Sequence, residues 1–343
     1  MLADLSFLHS SKNLLAFSHG VDSTALFYLL LERNVPFDLA MVDYGMRPEA
    51  AEEIAAAKAL ARRHGKRLHL ANAPQFDGDF ECRARRWRYE YFESLIEEFG
   101  YDTLLTAHQL DDRLEWLMMR LMRGAGALEL AGMEAESLRR TPGGKAYRLL
   151  RPLLERSREE IEAYLLERGV EYFRDASNFW GANERSRLRP LLSSMMQEHA
   201  RGIRRSFEYL ERDREAIRSL WETLHAQTEL RILHLKTPSV ASRAADAALK
   251  ELGYLLSAAE RRRIDGGKSL VAGRHWAIER SGELLAIAPY LQGVTLPKAF
   301  REQCRKLRIP PKIRPYLFRE GIDPESLQRS IDRREKTPPG DSS

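Results

Sequence analysis

The sequence contains very little cysteine. Only Cys82 and Cys304 occur among its 343 residues, and they lie far apart and form no CxxC pair. This argues against a disulfide framework, a zinc knuckle and a sulfur-relay pair. Sparse cysteine is typical of proteins from a reducing compartment, so we expect a cytoplasmic location.

Long apolar runs are also missing. No stretch reaches the roughly 18 consecutive apolar residues that a membrane-spanning helix needs, so we expect no membrane partner. The N-terminal segment MLADLSFLHSSKNLLAF carries an early Asp4 and lacks a basic region followed by a long apolar stretch. It therefore does not resemble a secretory signal peptide.

A large excess of one charge is absent, since 55 basic and 50 acidic residues give a net charge of +5. The basic residues are nevertheless clustered in 83–88 (RARRWR), 185–189 (RSRLR) and 297–320. Such clusters suit the phosphates of a nucleotide or a nucleic acid. A solvated helix face explains any single cluster equally well.

Strand-like and helix-like segments alternate over the first half of the chain. Short apolar segments occupy 13–17, 37–43, 66–72, 101–108 and 146–154, and the stretches between most of them have helical periodicity. This alternation predicts an α/β fold, with a mostly parallel sheet covered by helices on both faces.

The pattern changes after about residue 191. Residues 193–230 have the periodicity of long amphipathic helices, and 275–289 holds two apolar runs around a Ser-Gly pair, which predicts a β hairpin. We therefore predict an α/β domain, a helical domain that ends in the hairpin, and a basic tail. Their predicted boundaries are 1–192, 193–290 and 291–343.

The turn after the first strand-like segment is rich in hydroxyl groups. A strand that continues into a helix through such a turn points backbone N–H groups at one spot, and a helix N-terminus favours anions. The turn is neither GxxxxGK[ST] nor GxGxxG. Either it binds the phosphates of a nucleotide, with Asp22 capping the helix or helping to hold Mg²⁺, or it is an ordinary capped turn. The residues predicted to bind phosphate are Ser18, His19, Gly20, Val21, Asp22 and Ser23.

This turn is similar to SGGxDS, the phosphate-binding loop of the N-type ATP pyrophosphatases. His19 stands where that family usually has glycine. The resemblance implies that ATP binds here and is cleaved between its α and β phosphates.

Other segments resemble one family of this group, tRNA(Ile)-lysidine synthetase, and the match spans roughly residues 13–190. The matching segments are 42–61, 81–92, 106–126, RPLL at 151–154, RDASN at 174–178 and RSRLR at 185–189. This chain departs from the family pattern at Tyr44, where histidine is usual, and at Gln109, Arg113, Trp116 and Ser186.

The resemblance implies a reaction in two steps, with ATP and Mg²⁺ as cofactors. The C2 carbonyl oxygen of the wobble cytidine in tRNA(Ile) with anticodon CAU attacks the α-phosphate of ATP, and pyrophosphate leaves. The ε-amine of free L-lysine then attacks C2, and AMP leaves. The product, lysidine, pairs with adenine, so the tRNA reads AUA and is charged with isoleucine. A homodimer is compatible with the sequence, which does not fix the oligomeric state.

Specific residues can be assigned to these steps. Asp112 and Glu115 share one helical face, so they either bind and deprotonate the lysine amine or complement the helix dipole. Arginines are expected to support the adenylate, and the region 201–320, within the helical domain and the basic tail, is expected to bind the tRNA. His108, at a strand end, is either a ligand-binding residue or a structural one. The expected catalytic residues are Asp22, Asp112, Glu115, Arg88 and Arg185, with Arg189 as an alternative to Arg185.

Three other functions remain open on the residues alone. A related tRNA 2-thiolating enzyme would need a cysteine to carry sulfur, and neither Cys82 nor Cys304 resembles a relay pair. An amide-forming ligase of small molecules would not need so many arginine clusters. A tRNA-binding protein whose catalytic loop has decayed is suggested by His19, Tyr44 and Gln109. Pyrophosphate release in the presence of tRNA(Ile) and lysine separates these alternatives.

Overall fold

The structure is a computed structural model and describes residues 6–45, 50–76, 78, 80–173 and 184–335. The chain divides into two compact units, Met1–Glu211 and Arg212–Ser343. The RDASN segment at 174–178 and part of the 42–61 segment lie outside the described residues. None of the described helices has both the length and the apolar character that crossing a bilayer requires.

The first unit contains a six-stranded sheet of order β3-β2-β1-β4-β6-β5, in which only β5 runs antiparallel to its neighbour. The mostly parallel sheet with flanking helices is therefore confirmed. The strands are β1 (Asn13–Ala16), β2 (Asp38–Asp43), β3 (Leu68–Asn72), β4 (Thr103–Leu105), β5 (Glu136–Arg140) and β6 (Ala146–Leu150). The helices are α1 (Val21–Glu32), α2 (Ala50–Arg63), α3 (Phe80–Phe99), α4 (Leu110–Met122), α5 (Ala127–Leu130) and α6 (Arg158–Glu167), and α7 (Glu184–Arg218) contains the division between the units.

The central strand β1 is buried on both faces. Successive side chains of a strand point to opposite faces, so Leu15 packs with residues of α1, α2 and α6, whereas Leu14 packs with Phe92 and Ile96 of α3. The chain leaves β1 towards β2, while β4 lies on the other side of β1. The carboxyl ends of β1 and β4 therefore flank a topological switch point, where open α/β sheets bind their ligands.

The second unit is built on a five-stranded antiparallel sheet of order β7-β8-β11-β10-β9. Helices α8 and α9 cover one face, and α10, α11 and α12 cover the other. The strands are β7 (Trp221–Gln227), β8 (Leu230–Leu235), β9 (Leu270–Ala272), β10 (Trp276–Ser281) and β11 (Leu284–Pro289). The helices are α8 (Ala241–Glu251), α9 (Ala258–Asp265), α10 (Lys298–Lys306), α11 (Arg314–Arg319) and α12 (Pro324–Glu335).

The predicted hairpin at 275–289 is confirmed as β10 and β11, which turn at Gly282 with a φ of +63°. The helical reading of 193–230 holds as far as Arg218 but is wrong for 221–227, which form β7. Leu224 of β7 is 1% exposed in the sheet core, so tertiary packing outweighed the helical pattern. The described part of the basic segment, from residue 291 to residue 335, forms three helices, and they bury Cys304 and Tyr316.

Asn13 fixes the start of β1 and offers a test of this packing. Its side-chain amide is 1% exposed and donates to the carbonyls of Leu8, Ser11 and Pro36 at 2.8, 3.0 and 2.7 Å. Asn13→Ala leaves these carbonyls without the donor, so the free energy of unfolding should fall by about 2–4 kcal/mol. Urea denaturation measures this change. Ser10→Ala, which removes an exposed hydrogen bond, is the matched control, and equal losses in the two variants would contradict the prediction.

Candidate active site

The turn between β1 and α1 forms a small cradle at the switch point. Helix α1 begins at Val21, and its N-cap residue Gly20 makes no side-chain capping bond, so the first N–H groups of the helix can serve a ligand. The hydroxyl of Ser23 donates to the carbonyl of Gly20 at 3.1 Å and accepts from the N–H of Ser18 at 3.2 Å. These contacts hold both ends of the turn together.

His19 lies in this turn, but its ring does not line the cavity described next. The ring is 7% exposed and lies between Phe17 and Phe173, with ring centroids 5.5 and 5.2 Å away. Its φ of +58° is in the left-handed region, and its carbonyl accepts from the N–H of Phe173 at 3.1 Å. Burial lowers the pKa of His19, which keeps the ring neutral. His19 therefore holds the turn against Phe173 instead of facing the phosphate space.

A first cavity of about 290 Å³ opens onto the turn. Five of the six residues predicted to bind phosphate line it, namely Ser18, Gly20, Val21, Asp22 and Ser23. The opposite wall is largely apolar and comes from the ends of β1 and β2 and from α3, through Ala16, Val42, Tyr89 and Phe92. A polar cradle beside an apolar wall matches the two ends of a nucleoside triphosphate.

Asp22 is the acidic centre of the cradle. Its Oδ2 accepts from Nη1 of Arg158 at 2.9 Å, whereas its buried Oδ1 has no hydrogen-bond partner among the residues that the structure describes. Burial raises the pKa of Asp22 to about 7, although the positive charge of Arg158 acts in the opposite direction. Arg158 was not predicted from the sequence as a site residue. Its position four residues after the RPLL segment was the only feature that could have indicated it.

A second cavity, of about 850 Å³, adjoins the first. The aromatic side chains of Tyr44, Phe80 and Trp116 line it together with several carboxylates. Six arginines also line it: Arg85, Arg88, Arg123, Arg139, Arg151 and Arg185. Tyr44, Arg88 and His108 line both cavities and therefore mark their junction.

His108 sits at this junction as a neutral ring. Burial, together with the nearby charges of Arg151 and Arg85, lowers the pKa of His108 to about 3. Its Nδ1 lies 3.0 Å from the hydroxyl of Thr106. The nearby Oδ2 of Asp111 accepts from the backbone N–H of Arg158 at 3.0 Å. Within the described ranges, no three His, Cys, Asp or Glu side chains converge as a metal site would require.

Asp112 and Glu115 of α4 lie close together, and α7 brings arginines to them. Arg185 donates to both Asp112 and Glu115, and Arg189 donates to Glu115 at 2.8 Å. The Glu115 side chain is 3% exposed, whereas that of Asp112 is 15% exposed and lines the second cavity. Asp112 is therefore the member of the pair that a ligand can reach.

Gln109 and Arg113 depart from the family pattern but support this arrangement. Gln109 caps α4, because its side chain accepts from the N–H of Asp111 at 2.7 Å while Asp112 accepts from the N–H of Gln109 at 3.0 Å. The buried Arg113 donates to Glu211 at 2.5 Å and lies 4.2 Å from the ring centroid of Phe207. Arg113 thereby holds α7 against α4.

Comparison with known proteins agrees with this geometry. The family model of the PP-loop domain matches residues 2–196. The chain is 43% identical to the tRNA(Ile)-lysidine synthase of Wolinella succinogenes, over 92% of this chain and 95% of that protein. It is 39% identical to the enzyme of the same name from Campylobacter jejuni, over 94% of this chain and 97% of that protein. For the Helicobacter pylori protein of this name the identity is 36%, over 92% of each chain.

These matches extend over both compact units, whereas the PP-loop model alone covers only the first. The phosphate cradle at residues 18–23 lies inside the PP-loop match. The chain therefore belongs to the tRNA(Ile)-lysidine synthase family.

Proposed function

We propose that this chain joins free L-lysine to C2 of the wobble cytidine in the CAU anticodon of tRNA(Ile). The reaction consumes ATP, releases AMP and pyrophosphate, and converts the tRNA to the reading of AUA. The observation that carries the proposal is the junction at Tyr44, Arg88 and His108, where a phosphate cradle meets an arginine-lined cavity with a reachable carboxylate. A nucleotide and an RNA base can meet at such a junction.

The first step joins the base to the α-phosphate. The N-terminus of α1 and the hydroxyls of Ser18 and Ser23 bind the outer phosphates, which become the leaving pyrophosphate. Arg88 lies at the junction, where it can stabilise the charge that develops on the α-phosphate while the C2 oxygen of cytidine attacks. His108 is neutral there and can exchange hydrogen bonds without adding charge.

Mg²⁺ fits the cradle through Asp22. Mg²⁺ usually binds one or two carboxylates together with substrate phosphates and keeps several waters, so a single protein carboxylate is sufficient. The buried Oδ1 of Asp22 has no partner among the described residues and is the donor atom we assign to the ion. When bound, the ion neutralises phosphate charge.

The second step needs the lysine ε-amine close to C2. Asp112 lines the second cavity and already holds the cationic group of Arg185. An ammonium group can take the place of that guanidinium. Once Asp112 has accepted its proton, the neutral amine attacks C2 and AMP leaves. Glu115, whose oxygens are both paired with arginines, keeps Arg185 and Arg189 near the site.

The RNA must present an unstacked base, which costs a few kcal/mol and is cheapest in a single-stranded loop. Tyr44, Phe80 and Trp116 offer aromatic faces on which bases stack, and the six arginines of the second cavity suit the backbone phosphates.

In the second unit, α10 exposes a row of basic residues at helical spacing. The row consists of Lys298, Arg301 and Arg305 of the helix and Arg308 just beyond its end. We assign this row to a second contact with the tRNA. We also propose a cytoplasmic location, where tRNA and free lysine are both available.

The alternatives are not favoured. Relatives matched over most of the chain are named tRNA(Ile)-lysidine synthase, which does not favour 2-thiolation. A decayed catalytic loop is also not favoured, because the ring of His19 stays outside the first cavity and Gln109 retains the capping of α4.

The direct experiment supplies ATP labelled at the α-phosphate, lysine and a tRNA(Ile) transcript with anticodon CAU. We expect labelled AMP and a lysine-modified cytidine in equal amounts, and no reaction with a transcript that has uridine at the wobble position. Tight RNA binding without pyrophosphate release, or sulfur incorporation in place of lysine, would contradict the proposal.

Asp22→Ala should abolish AMP formation while changing the tRNA dissociation constant by less than about twofold, because the carboxylate assigned to Mg²⁺ beside the phosphates is removed and the RNA contacts remain. Single-turnover assays and filter binding measure the two effects. Glu32→Gln, at the far end of α1, is the control and should retain activity. Normal turnover of Asp22→Ala would show that the cradle is wrongly assigned.

Asp112→Asn should raise the KM for lysine by about tenfold or more, because the ammonium loses its charged acceptor. The amide oxygen can still cap α4, so the fold and the affinity for ATP should be preserved. Steady-state kinetics at varied lysine concentration measure the change, with the exposed Glu90→Gln as control. An unchanged KM for lysine would rule out Asp112 as the amine-binding group.

Replacing Arg301 and Arg305 with glutamine should weaken tRNA binding. Each lost phosphate contact should also flatten the plot of log K against log[salt] by about 0.7–0.9. The paired substitution of Arg262 and Arg263 on α9 is the charge-matched control. Equal effects of the two pairs would mean that net charge, and not the row on α10, governs binding.

A further inference from the structure

The phosphate cradle is short of positive charge. Residues 18–24 contain neither lysine nor arginine, yet the triphosphate that they are proposed to bind carries several negative charges. Among the described residues that line the first cavity, the arginines are Arg88 and Arg158, and no lysine lines it. Arg88 also lines the second cavity, so Arg158 is the cation on the cradle side.

The backbone of Arg158 is held firmly beside the cradle. It is the first residue of α6, directly after the capping box formed by Ser157 and Glu160. Its N–H donates to Oδ2 of Asp111 at the start of α4, at 3.0 Å. The N-termini of α1, α4 and α6 therefore converge here, while the Arg158 side chain remains 41% exposed.

The guanidinium of Arg158 donates hydrogen bonds to two carboxylates. Nη1 donates to Oδ2 of Asp22 at 2.9 Å, and Nε donates to Oε1 of Glu162 at 3.0 Å. A guanidinium has five N–H donors in a planar fork, so these two contacts leave donors for a further acceptor. Glu162 is one turn along the same helix and can keep the fork oriented when Asp22 is exchanged for another partner.

We propose that Arg158 binds the β- and γ-phosphates of ATP, and that its ion pair with Asp22 is the resting arrangement that phosphate oxygens replace. This inference rests on the proposed use of ATP and adds a binding residue outside the SGGxDS-like turn. Arginine suits this position because its fork binds phosphate in a bidentate manner. The exchange leaves the Asp22 carboxylate facing the phosphates, with Arg158 on the departing pyrophosphate and Arg88 near the α-phosphate.

The phosphate position can be tested by comparing three ligands: ATP, pyrophosphate and AMP. Arg158→Gln should weaken the binding of ATP and pyrophosphate by about tenfold or more and that of AMP by less than about twofold, because AMP lacks the outer phosphates. Arg158→Lys retains the positive charge but not the planar fork of donors, so it should lose less affinity for ATP and pyrophosphate than Arg158→Gln. Calorimetric titration with each ligand measures the affinities, and thermal unfolding confirms that the variants are folded.

Arg156→Gln is the matched control. Arg156 lies two residues earlier, pairs with Glu160 and does not line the first cavity, so its loss should leave all three affinities unchanged. Equal weakening of ATP and AMP in both Arg158 variants, or no weakening in either, would overturn the assignment. If the unaltered chain bound neither ATP nor pyrophosphate, the proposed function would fail together with this inference. If the unaltered chain bound both ligands and the Arg158 variants bound them equally well, only the inference would be overturned.

Discussion

The site is organised by the short turn that connects the buried central strand β1 to helix α1. The N-cap residue of this helix is Gly20, so no side chain caps its first N–H groups. The uncapped N–H groups can only be directed at the carboxyl edge of the sheet, beside the switch point between β1 and β4. Everything that we assign to the site lies around that edge. Asp22, one residue inside the helix, adds a carboxylate to a place that otherwise attracts anions.

The negative charges of Asp22 and Asp112 are neutralised by arginines from helices far along the chain. Arg158 of α6 pairs with Asp22, and Arg185 of α7 pairs with Asp112. Buried charges are stabilised only when they are paired, so α6 and α7 must be in place before the cradle and the carboxylate pair have their observed geometry. In the proposed chemistry, substrate phosphate takes the place of Asp22 on Arg158, and the substrate amine takes the place of Arg185 on Asp112. These two exchanges link the resting structure to the proposed reaction.

Several features could be predicted from the sequence because they follow from local pattern. The alternation of short apolar segments with helical ones gave the parallel sheet, and the Ser-Gly pair at 281–282 gave the hairpin. The hydroxyl-rich turn at 18–23 gave the position of the cradle.

Other features depend on contacts that no local pattern contains. The role of Arg158 arises from three helix N-termini that meet in space, and the second cavity combines residues from Tyr44 to Arg185. The orientation of His19 is set by Phe173, more than a hundred residues later in the chain. The β7 strand was mistaken for helix because its stability comes from pairing with β8.

The most direct test is a crystal structure of the chain with a non-hydrolysable ATP analogue. We expect oxygens of the β- and γ-phosphates to lie about 2.7–3.2 Å from backbone nitrogens at the start of α1. We also expect the α-phosphate to face the junction at Tyr44, Arg88 and His108. Density for the triphosphate at any other edge of the sheet would contradict the assignment of the cradle.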